Sequence, residues 1–170
     1  MVEYMSLEGL SSITSTIPTE LGNLRNMVAS FYTSNSWFSS TIPTELGQLS
    51  MMTEHFSLNE NDLSLAIPTE LGNLPKLRES FDLSSNYLSS TIPTELGHFR
   101  EMGYGFNLQG NSLSREIPTE LGSLRKMTNG FFLYSNNLCS SVPTEVQALS
   151  AGMSESYVIT TGNPKINTVS

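Results

Sequence analysis

The sequence is poor in the residue types on which catalysis and metal binding most often depend. Its 170 residues contain one cysteine, Cys139, and two histidines, His55 and His98. The only aspartates are Asp62 and Asp82, and no glycine-rich phosphate-binding loop follows a predicted strand. These side chains form no recognisable catalytic constellation. We therefore expect the protein not to be an enzyme and to need no cofactor.

Basic residues are also scarce, with 8 Lys and Arg against 16 Asp and Glu, for a net charge of −8. Affinity for nucleic acid comes largely from cations that neutralise phosphates, so this balance argues against a nucleic-acid partner or an anionic membrane surface. No apolar run approaches the roughly 18 residues of a spanning helix, so we expect no membrane insertion by this segment. The first residues lack the basic start and apolar run of a signal peptide. A lone cysteine excludes a disulfide within the chain.

What the sequence does contain is a six-residue core that recurs every 25 residues. Ile-Pro-Thr-Glu-Leu-Gly begins at Ile17, Ile42, Ile67, Ile92 and Ile117, and Val142 begins a variant copy. A fixed period of this length indicates a solenoid, in which no single coil can bury its apolar side alone. We predict one solenoid over residues 1–170, of about six to seven coils. Residues 1–22 form a degenerate first coil, 23–147 the regular coils, and 148–170 a C-terminal cap and tail.

Two further sets of residues recur with this period, and each forms a column with one residue per coil. Phenylalanine recurs in the pattern Phe-x-Leu, which predicts a short strand with both side chains on one face. Stacking these strands would give a parallel sheet over a buried spine of Phe31, Phe56, Phe81, Phe106 and Phe131. Between two apolar columns lie Asn61, Asn86, Asn111 and Asn136. A polar side chain there must be hydrogen-bonded, so we predict an asparagine ladder that satisfies backbone groups.

The Pro-Thr-Glu-Leu-Gly segment predicts a short helical turn on the side opposite the sheet. Proline fixes φ, threonine is a plausible N-cap, and glutamate in the first turn suits the helix dipole. Glycine can close the turn. The threonine is therefore expected to cap and the glycine to terminate.

Both ends of the chain depart from the regular coil. Met5-x-Leu7 resembles the strand pair one residue out of frame, with Leu10 at the asparagine position. Residues 157–160 form a last, shifted strand, and residues 161–164 form a turn. An uncovered strand edge invites pairing, so self-association through the N-terminal edge is expected.

The segment from Phe81 to Gly97, Phe-Asp-Leu-Ser-Ser-Asn-Tyr-Leu-Ser-Ser-Thr-Ile-Pro-Thr-Glu-Leu-Gly, resembles the leucine-rich repeat family in its plant-specific form. The style is closest to leucine-rich repeat proteins of diatoms and related algae. The resemblance implies an α/β repeat solenoid, a right-handed horseshoe with a short-stranded parallel β-sheet on the concave face and 3₁₀ or short helical turns on the convex side. It also implies extracellular or cell-surface recognition, as in receptor-like ectodomains.

Three departures from the family pattern stand out. One residue is added per coil, between Leu77 and Phe81 and at the equivalent sites. Phenylalanine replaces the first strand leucine. The glycine of the family's L-S-G-x-I-P is replaced, coil by coil, by Ser40, Leu65, Ser90, Arg115 and Ser140. In similar caps the cysteine pairs further along, so Cys139 is either free or has lost its partner.

The open face of the sheet is the leading candidate for function. We predict a non-catalytic recognition module that binds a protein, peptide or glycan through exposed aromatic and polar side chains. His55 and Asp82 could lie near one another across adjacent strands. The candidate ligand-binding residues on the concave face are Tyr32, Trp37, His55, Asp62, Asp82, Tyr87, Phe132 and Tyr134.

An alternative is a structural or surface-binding scaffold, adhesive or ice-binding-like, that uses the regular threonine and glutamate columns. The threonine column runs from Thr19 to Thr144, but the neighbouring column is interrupted at Ala66 and Glu116. The glutamate column, Glu20 to Glu145, could hold a hard cation such as calcium. The position of each glutamate at a turn start explains the column without a metal, so we expect none.

Overall fold

The computed structural model describes residues 4–7, 15–153 and 156–166. Within these ranges the chain forms short parallel strands joined by one-turn helices. The strands are β1 (Tyr4–Ser6), β2 (Ser30–Tyr32), β3 (Ser39–Ser40), β4 (Phe56–Ser57), β5 (Asp62–Leu65), β6 (Phe81–Asp82), β7 (Tyr87–Leu88), β8 (Tyr104–Asn107), β9 (Ser114–Arg115), β10 (Asn129–Phe132), β11 (Asn137–Ser140), β12 (Tyr157–Val158) and β13 (Lys165–Ile166).

The largest sheet has seven parallel strands in the order β1-β2-β4-β6-β8-β10-β12, one strand for each coil. Phe31 lies opposite Phe56, which lies opposite Phe81, so equivalent residues of successive coils face one another. At the ends, Met5 pairs with Phe31 and Tyr157 with Phe131. The predicted one-residue shift of the first strand and the shift of the last are thus confirmed, although the last strand is shorter than predicted, Tyr157–Val158. Leu10 lies outside the described residues. The protein is a parallel-sheet repeat solenoid, as the sequence predicts.

Within a coil, the strand of the seven-stranded sheet is followed along the chain by a strand of one of two three-stranded sheets. One has the order β3-β5-β7 and the other β13-β11-β9. The turn helices then complete each coil: five are 3₁₀ turns at Thr19–Asn23, Thr44–Gln48, Thr69–Asn73, Thr94–His98 and Thr119–Ser123. The next coil has α1 (Thr144–Gln147) followed by a 3₁₀ turn at Ala148–Gly152. Each of the five coils that begin at β2, β4, β6, β8 and β10 therefore has a main strand, a second short strand and a helical turn.

The predicted phenylalanine spine is confirmed. Phe31, Phe56, Phe81, Phe106 and Phe131 have no exposed surface, and neighbouring rings are stacked with centroids 5.3–5.9 Å apart. Tyr157 continues the stack, 5.5 Å from Phe131. Phe99 from the turn side packs against Phe81 at 4.9 Å, with the rings tilted by 58°. The spine is therefore a column of aromatic contacts running the length of the core.

The asparagine ladder is also confirmed, and Asn86 shows how it works. Its Oδ1 accepts the Leu63 N–H at 3.0 Å, while its Nδ2 donates to the carbonyl oxygens of Leu58, Leu83 and Ser84 at 3.0–3.2 Å. One side chain thereby connects its own coil to the preceding one. Asn163 extends the ladder into the cap, accepting from Leu138 N–H and donating to Leu133 and Ile159 carbonyls. The sequence reading missed Asn163 because it stands two residues later than the period would place it.

The predicted threonine N-cap is wrong. The residue at the cap position is the preceding proline, such as Pro93 with φ −62° and ψ 135°, and no side chain caps the turn. Threonine is instead the first residue inside the turn, where Thr94 Oγ1 donates to the Glu95 carboxylate at 3.2 Å. The same contact recurs in every coil from Thr19 to Thr144. Each glutamate of the column is therefore held by the threonine that directly precedes it.

The turn glycine does not close the turn either. Gly97 lies within the turn, and Phe99 follows the turn at the C-cap. A Cβ placed on Gly97 would lie 2.5 Å from the backbone oxygen of Glu120 in the next coil. Gly22, Gly47, Gly72 and Gly122 are equally close to the next coil's glutamate. Glycine is needed at this position because the turns of successive coils touch backbone to backbone.

Five residues that replace the family's glycine have a left-handed backbone. Ser40, Leu65, Ser90, Arg115 and Ser140 have φ between 67° and 76°. A side chain in this region costs roughly 1–2 kcal/mol, because Cβ approaches the following carbonyl oxygen. The fold thus retains the backbone shape that glycine favours, and the strain recurs in each coil.

Replacing Leu65 by glycine should stabilise the protein by about 0.5–1 kcal/mol. Relief of the left-handed strain outweighs the entropy that glycine adds to the unfolded chain, and Leu65 is 61% exposed, so little burial is lost. Urea unfolding measures the effect. Ser64→Gly, one residue earlier at an ordinary φ, is the matched control and should destabilise by about 0.5–1 kcal/mol. A Leu65→Gly variant no more stable than the parent would show that this position is not strained.

Candidate functional site: the open face of the sheet

The open face of the seven-stranded sheet presents a central row of side chains in register. These residues follow the buried phenylalanines and point away from the core. Each is the paired neighbour of the next, coil after coil. We call the outward surface of these strands the sheet face; its central row is Tyr32, Ser57, Asp82, Asn107, Phe132 and Val158.

The middle of the sheet face is polar and internally hydrogen-bonded. Asp82 accepts the Ser84 N–H at 2.9 Å and the Asn107 Nδ2 at 3.2 Å, using a different carboxylate oxygen for each. Further along the strands, Ser34 and Ser57 both donate to Asn59 Oδ1 at 2.6 Å. These bonds hold the polar groups in fixed positions before any ligand arrives. Such pre-organisation reduces the entropy lost on binding.

The C-terminal end of the sheet face is aromatic. Phe132 and Tyr134 meet edge to face, with ring centroids 6.0 Å apart. Beside them, Gly105 and Gly130 lie next to each other with φ of 79° and 73°. A Cβ on Gly130 would lie 3.1 Å from the Gly105 backbone nitrogen, so the two strands pack closely here, and Gly130 is buried. This end is therefore dominated by the two aromatic rings.

Alongside the central row, from β1 across to β8, lies a group of tyrosine, histidine and glutamate side chains that the sequence reading largely missed. The rings of Tyr4 and Tyr32 lie 5.9 Å apart, and the Tyr32 ring stacks on His55 at 5.6 Å. His55 Nε2 lies 3.0 Å from the Glu79 carboxylate. We call this group the tyrosine–glutamate cluster; its members are Tyr4, Tyr32, Glu54, His55, Glu79 and Tyr104.

Tyr104 joins this cluster through its hydroxyl. A hydrogen bond to the Glu79 carboxylate raises the pKa of Tyr104, and partial desolvation and the charges of Glu79 and Glu54 act in the same direction. Glu54 in turn accepts a hydrogen bond from the Ser30 hydroxyl at 3.3 Å. Glu54, Glu79 and Tyr104 stand one period apart, two residues before the buried phenylalanines. That spacing is the available signal, but the predicted outward-facing positions begin only one residue before each phenylalanine.

The structure corrects the predicted placement of three candidate residues. Asp62 and Tyr87 belong to β5 and β7 in the second sheets, and not to the seven-stranded sheet. Trp37 borders Asp62 in a small hollow on that side. The chain turns before these positions, because Glu60 and Ser85 have left-handed φ of 54°. Trp37 and Tyr87 are exposed there, so they form a flank beside the sheet face.

His55 and Asp82 have different bonding partners, although the sequence predicts that they lie near one another. His55 pairs with Glu79, whereas Asp82 bonds to Ser84 and Asn107. Of the predicted residues, the sheet face therefore brings together Tyr32, His55 and Asp82, with Phe132 and Tyr134 at its far end.

The threonine and glutamate columns lie on a separate surface. A shallow groove of about 800 Å³ runs there between the second strands and the turns, lined among others by Thr91, Thr94, Glu116 and Thr119. The hydroxyls of Thr94 and Thr119 are directed to carboxylates of their own turns. In the described parts of the chain, no group of three His, Cys, Asp or Glu side chains is placed to hold a metal ion.

Comparison with known proteins places this geometry in a family. The Leucine Rich Repeat family model matches residues 79–99. The plant peptide hormone receptor RGFR1, solved in complex with RGF2, is 34% identical with a TM-score of 0.69. The alignment covers 78% of this chain and 20% of that receptor. The chain is a leucine-rich repeat protein of the plant-specific type.

Other structures similar to this leucine-rich repeat protein differ in function. The Arabidopsis receptor kinase HAESA, in complex with the peptide hormone IDA and the co-receptor SERK1, is 30% identical with a TM-score of 0.77, over 96% of this chain and 30% of HAESA. A plant ice-binding protein is 28% identical with a TM-score of 0.70, over 79% of this chain and 42% of that one. The chain thus spans less than a third of either receptor. No protein of curated function matches the sequence.

One further observation concerns membranes. Among the described residues, no helix combines the length and the apolar character that crossing a bilayer requires.

Proposed function

We propose that this leucine-rich repeat protein is a non-catalytic recognition module that binds an extended peptide, or a peptide segment of a protein, along the sheet face. The observation that carries the proposal is the register-aligned row from Tyr32 to Phe132. It runs across successive parallel strands, with aromatic residues at both ends and fixed polar groups between them.

Aromatic and polar side chains of the sheet face suit different parts of an extended peptide. Strands about 4.8 Å apart give the five central coils a span of roughly 20 Å, enough for several residues of an extended chain. Rings at the ends supply contact area at low entropic cost, while Asp82 and Asn107 can fix the orientation of peptide amides. A glycan could use the same elements, but the similarity to receptors solved with peptide hormones favours a peptide.

The comparison also supports a compartment. One similar structure, 31% identical, is the ectodomain of the receptor kinase HAESA, so we propose an extracellular or cell-surface location. The net charge of −8 favours a neutral or basic partner, with affinity that falls as ionic strength rises.

A peptide array tests the proposal by comparing surfaces of the same molecule. The whole chain is applied to immobilised random decapeptides as the parent and as three variant sets. Tyr32→Ala with Phe132→Ala alters the sheet face, Trp37→Ala with Tyr87→Ala alters the flank, and Thr94→Ala with Thr119→Ala alters the groove. We expect the sheet-face set to weaken binding at least tenfold, because a few aromatic anchors carry most of the affinity at protein interfaces. The groove set should leave binding unchanged.

The same three sets separate the alternatives. Loss of binding with the flank set alone would move the site to Trp37 and Tyr87. The second candidate, an ice-binding or other surface-binding scaffold, is favoured by the similar plant ice-binding protein and by the regular threonine column. This candidate predicts that the parent inhibits ice recrystallisation, that the groove variants no longer do so, and that the sheet-face variants still do. Against it, the threonine hydroxyls already donate to glutamates. Absence of any peptide binding by the parent would refute the peptide proposal.

A further inference from the structure

A strip of basic residues precedes the main strands of the seven-stranded sheet. It is formed where the chain passes from a helical turn to the next main strand, at residues 25–28, 50–53, 75–78, 100–103 and 125–128. These segments hold six of the eight lysines and arginines of the chain and one acidic residue, Glu101. Their net charge is therefore +5, in a chain whose net charge is −8. We call this surface the basic strip; its cations are Arg25, Lys76, Arg78, Arg100, Arg125 and Lys126.

Backbone hydrogen bonds hold the five segments of the basic strip side by side. The N–H groups of Thr53, Arg78, Gly103 and Thr128 each donate to the carbonyl oxygen of the residue 25 positions earlier, at 2.6–2.9 Å. Hydrogen-bonded segments lie about 4.8 Å apart, so the strip is roughly 20 Å long. All six basic residues are exposed. The cations therefore share one surface, although they are far apart in the sequence.

Most of these cations are not neutralised within the molecule. Lys126 pairs with Glu101 at 2.6 Å, and among the described residues no other cation of the strip has an ion pair. Arg25 donates instead to the neutral Gln48 side chain, at 2.7 and 3.1 Å. The helix dipole does not explain the strip, because it acts within the last turn and these cations lie two to five residues beyond the turns. The strip therefore retains donors for carboxylates from another molecule.

The surroundings of the basic strip restrict the width of a ligand. Glu54 and Glu79 directly follow two of its segments, and on the turn side Glu145 borders a hollow of about 290 Å³ together with Arg125 and Leu149. A nucleic-acid duplex or a membrane would extend over these carboxylates, and charges repel over the Debye length of about 8 Å at physiological ionic strength. A single extended polypeptide is narrow enough to contact the cations without covering both acidic borders.

We propose that the basic strip binds an acidic, extended segment of a partner protein. Its carboxylates pair with Lys76, Arg100 and Arg125, and an apolar side chain of the segment enters the hollow beside Arg125. Guanidinium groups hold carboxylates through two parallel hydrogen bonds, which favours arginine at such a site. This second binding surface does not depend on peptide binding by the sheet face. Because exposed ion pairs are individually weak, binding needs several of them at once and weakens as salt is added.

The test compares two synthetic peptides that differ only in charge, by NMR titration of the ¹⁵N-labelled whole chain. One is acetyl-Glu-Ser-Glu-Leu-Glu-Ser-amide, and the other has glutamine at its three glutamate positions. We expect the acidic peptide to shift amide signals of the basic strip and to bind about tenfold more tightly than the neutral one. Arg100→Gln with Arg125→Gln should weaken its binding about fivefold. Arg115→Gln with Lys165→Gln is the matched control, since it removes the same charge from the two basic residues outside the strip, and it should change binding less than twofold.

Three results would overturn the inference. The first is equal binding of the two peptides, and the second is binding that Arg100→Gln with Arg125→Gln leaves unchanged. The third is an equal loss in both double variants, because it would show a response to the net charge of the molecule and not to the strip. Oligothymidine and vesicles of equal parts phosphatidylcholine and phosphatidylserine test other anions. We expect both to bind more weakly than the acidic peptide, and tighter binding of either would refute a polypeptide occupant.

Discussion

Replacing Phe81 by alanine should lower the free energy of unfolding by about 3–5 kcal/mol, the usual range for a core aromatic residue. Phe81 has no exposed surface and contacts three other rings, with centroids 5.6 Å away at Phe56, 5.9 Å at Phe106 and 4.9 Å at Phe99. The rigid backbone contacts between coils leave little room for collapse around the cavity, so the loss should approach the upper end of the range. Urea unfolding followed by Trp37 fluorescence measures it.

The matched control is Tyr87→Ala in the same coil. Tyr87 is 64% exposed, so its removal should change stability by no more than about 0.5 kcal/mol. Because each coil contacts only its neighbours, Phe81→Ala should also weaken coupling between the two halves of the solenoid and broaden the transition. A Phe81→Ala protein that unfolds at the same urea concentration as the parent would show that the aromatic spine does not hold the coils together.

The second large effect is expected for Asn86→Ala, which should cost about 2–4 kcal/mol. The three carbonyls that Asn86 serves each have another donor: Asn61 for Leu58, Asn111 for Leu83, and the Glu60 N–H for Ser84. The Leu63 N–H, by contrast, loses the Asn86 Oδ1. An orphaned buried donor costs about 1–3 kcal/mol, and the three lost carbonyl bonds add to that.

Asn137→Ala is the control for this ladder, since Asn137 is exposed and stands directly beside the ladder residue Asn136. Its stability should match the parent's within about 0.5 kcal/mol. Chemical denaturation of both variants gives the comparison. Equal stabilities for Asn86→Ala and Asn137→Ala would mean that water replaces the ladder bonds at no cost, contrary to the burial of Asn86.

The parts of the fold that repeat most regularly could be predicted from sequence. The phenylalanine spine and the asparagine ladder rest on columns whose side chains must be buried or satisfied wherever the coil closes, so periodicity was enough. The turn was harder, because Thr-Glu after proline suits both a cap and a first turn. Only the extended ψ of about 135° at Pro93 decides between them.

The candidate site was predicted less well, for a local reason. Non-glycine residues such as Glu60 and Ser85 take a left-handed φ and turn the chain out of the main sheet. Neither residue type indicates a left-handed turn. The sequence therefore predicts Asp62 and Tyr87 on the seven-stranded sheet, whereas they lie in a three-stranded sheet. Conversely, Glu54, Glu79 and Tyr104 precede the Phe-x-Leu pattern, and only the folded structure joins them to Tyr32 and His55.

The central claim is that the sheet face binds an extended peptide, and the most direct measurement is the NMR footprint of an array-selected decapeptide on the ¹⁵N-labelled protein. The account predicts that amide shifts concentrate along the row from Tyr32 through Asp82 to Phe132. Shifts confined to the threonine groove around Thr94 and Thr119, or to the Trp37 and Tyr87 flank, would contradict it.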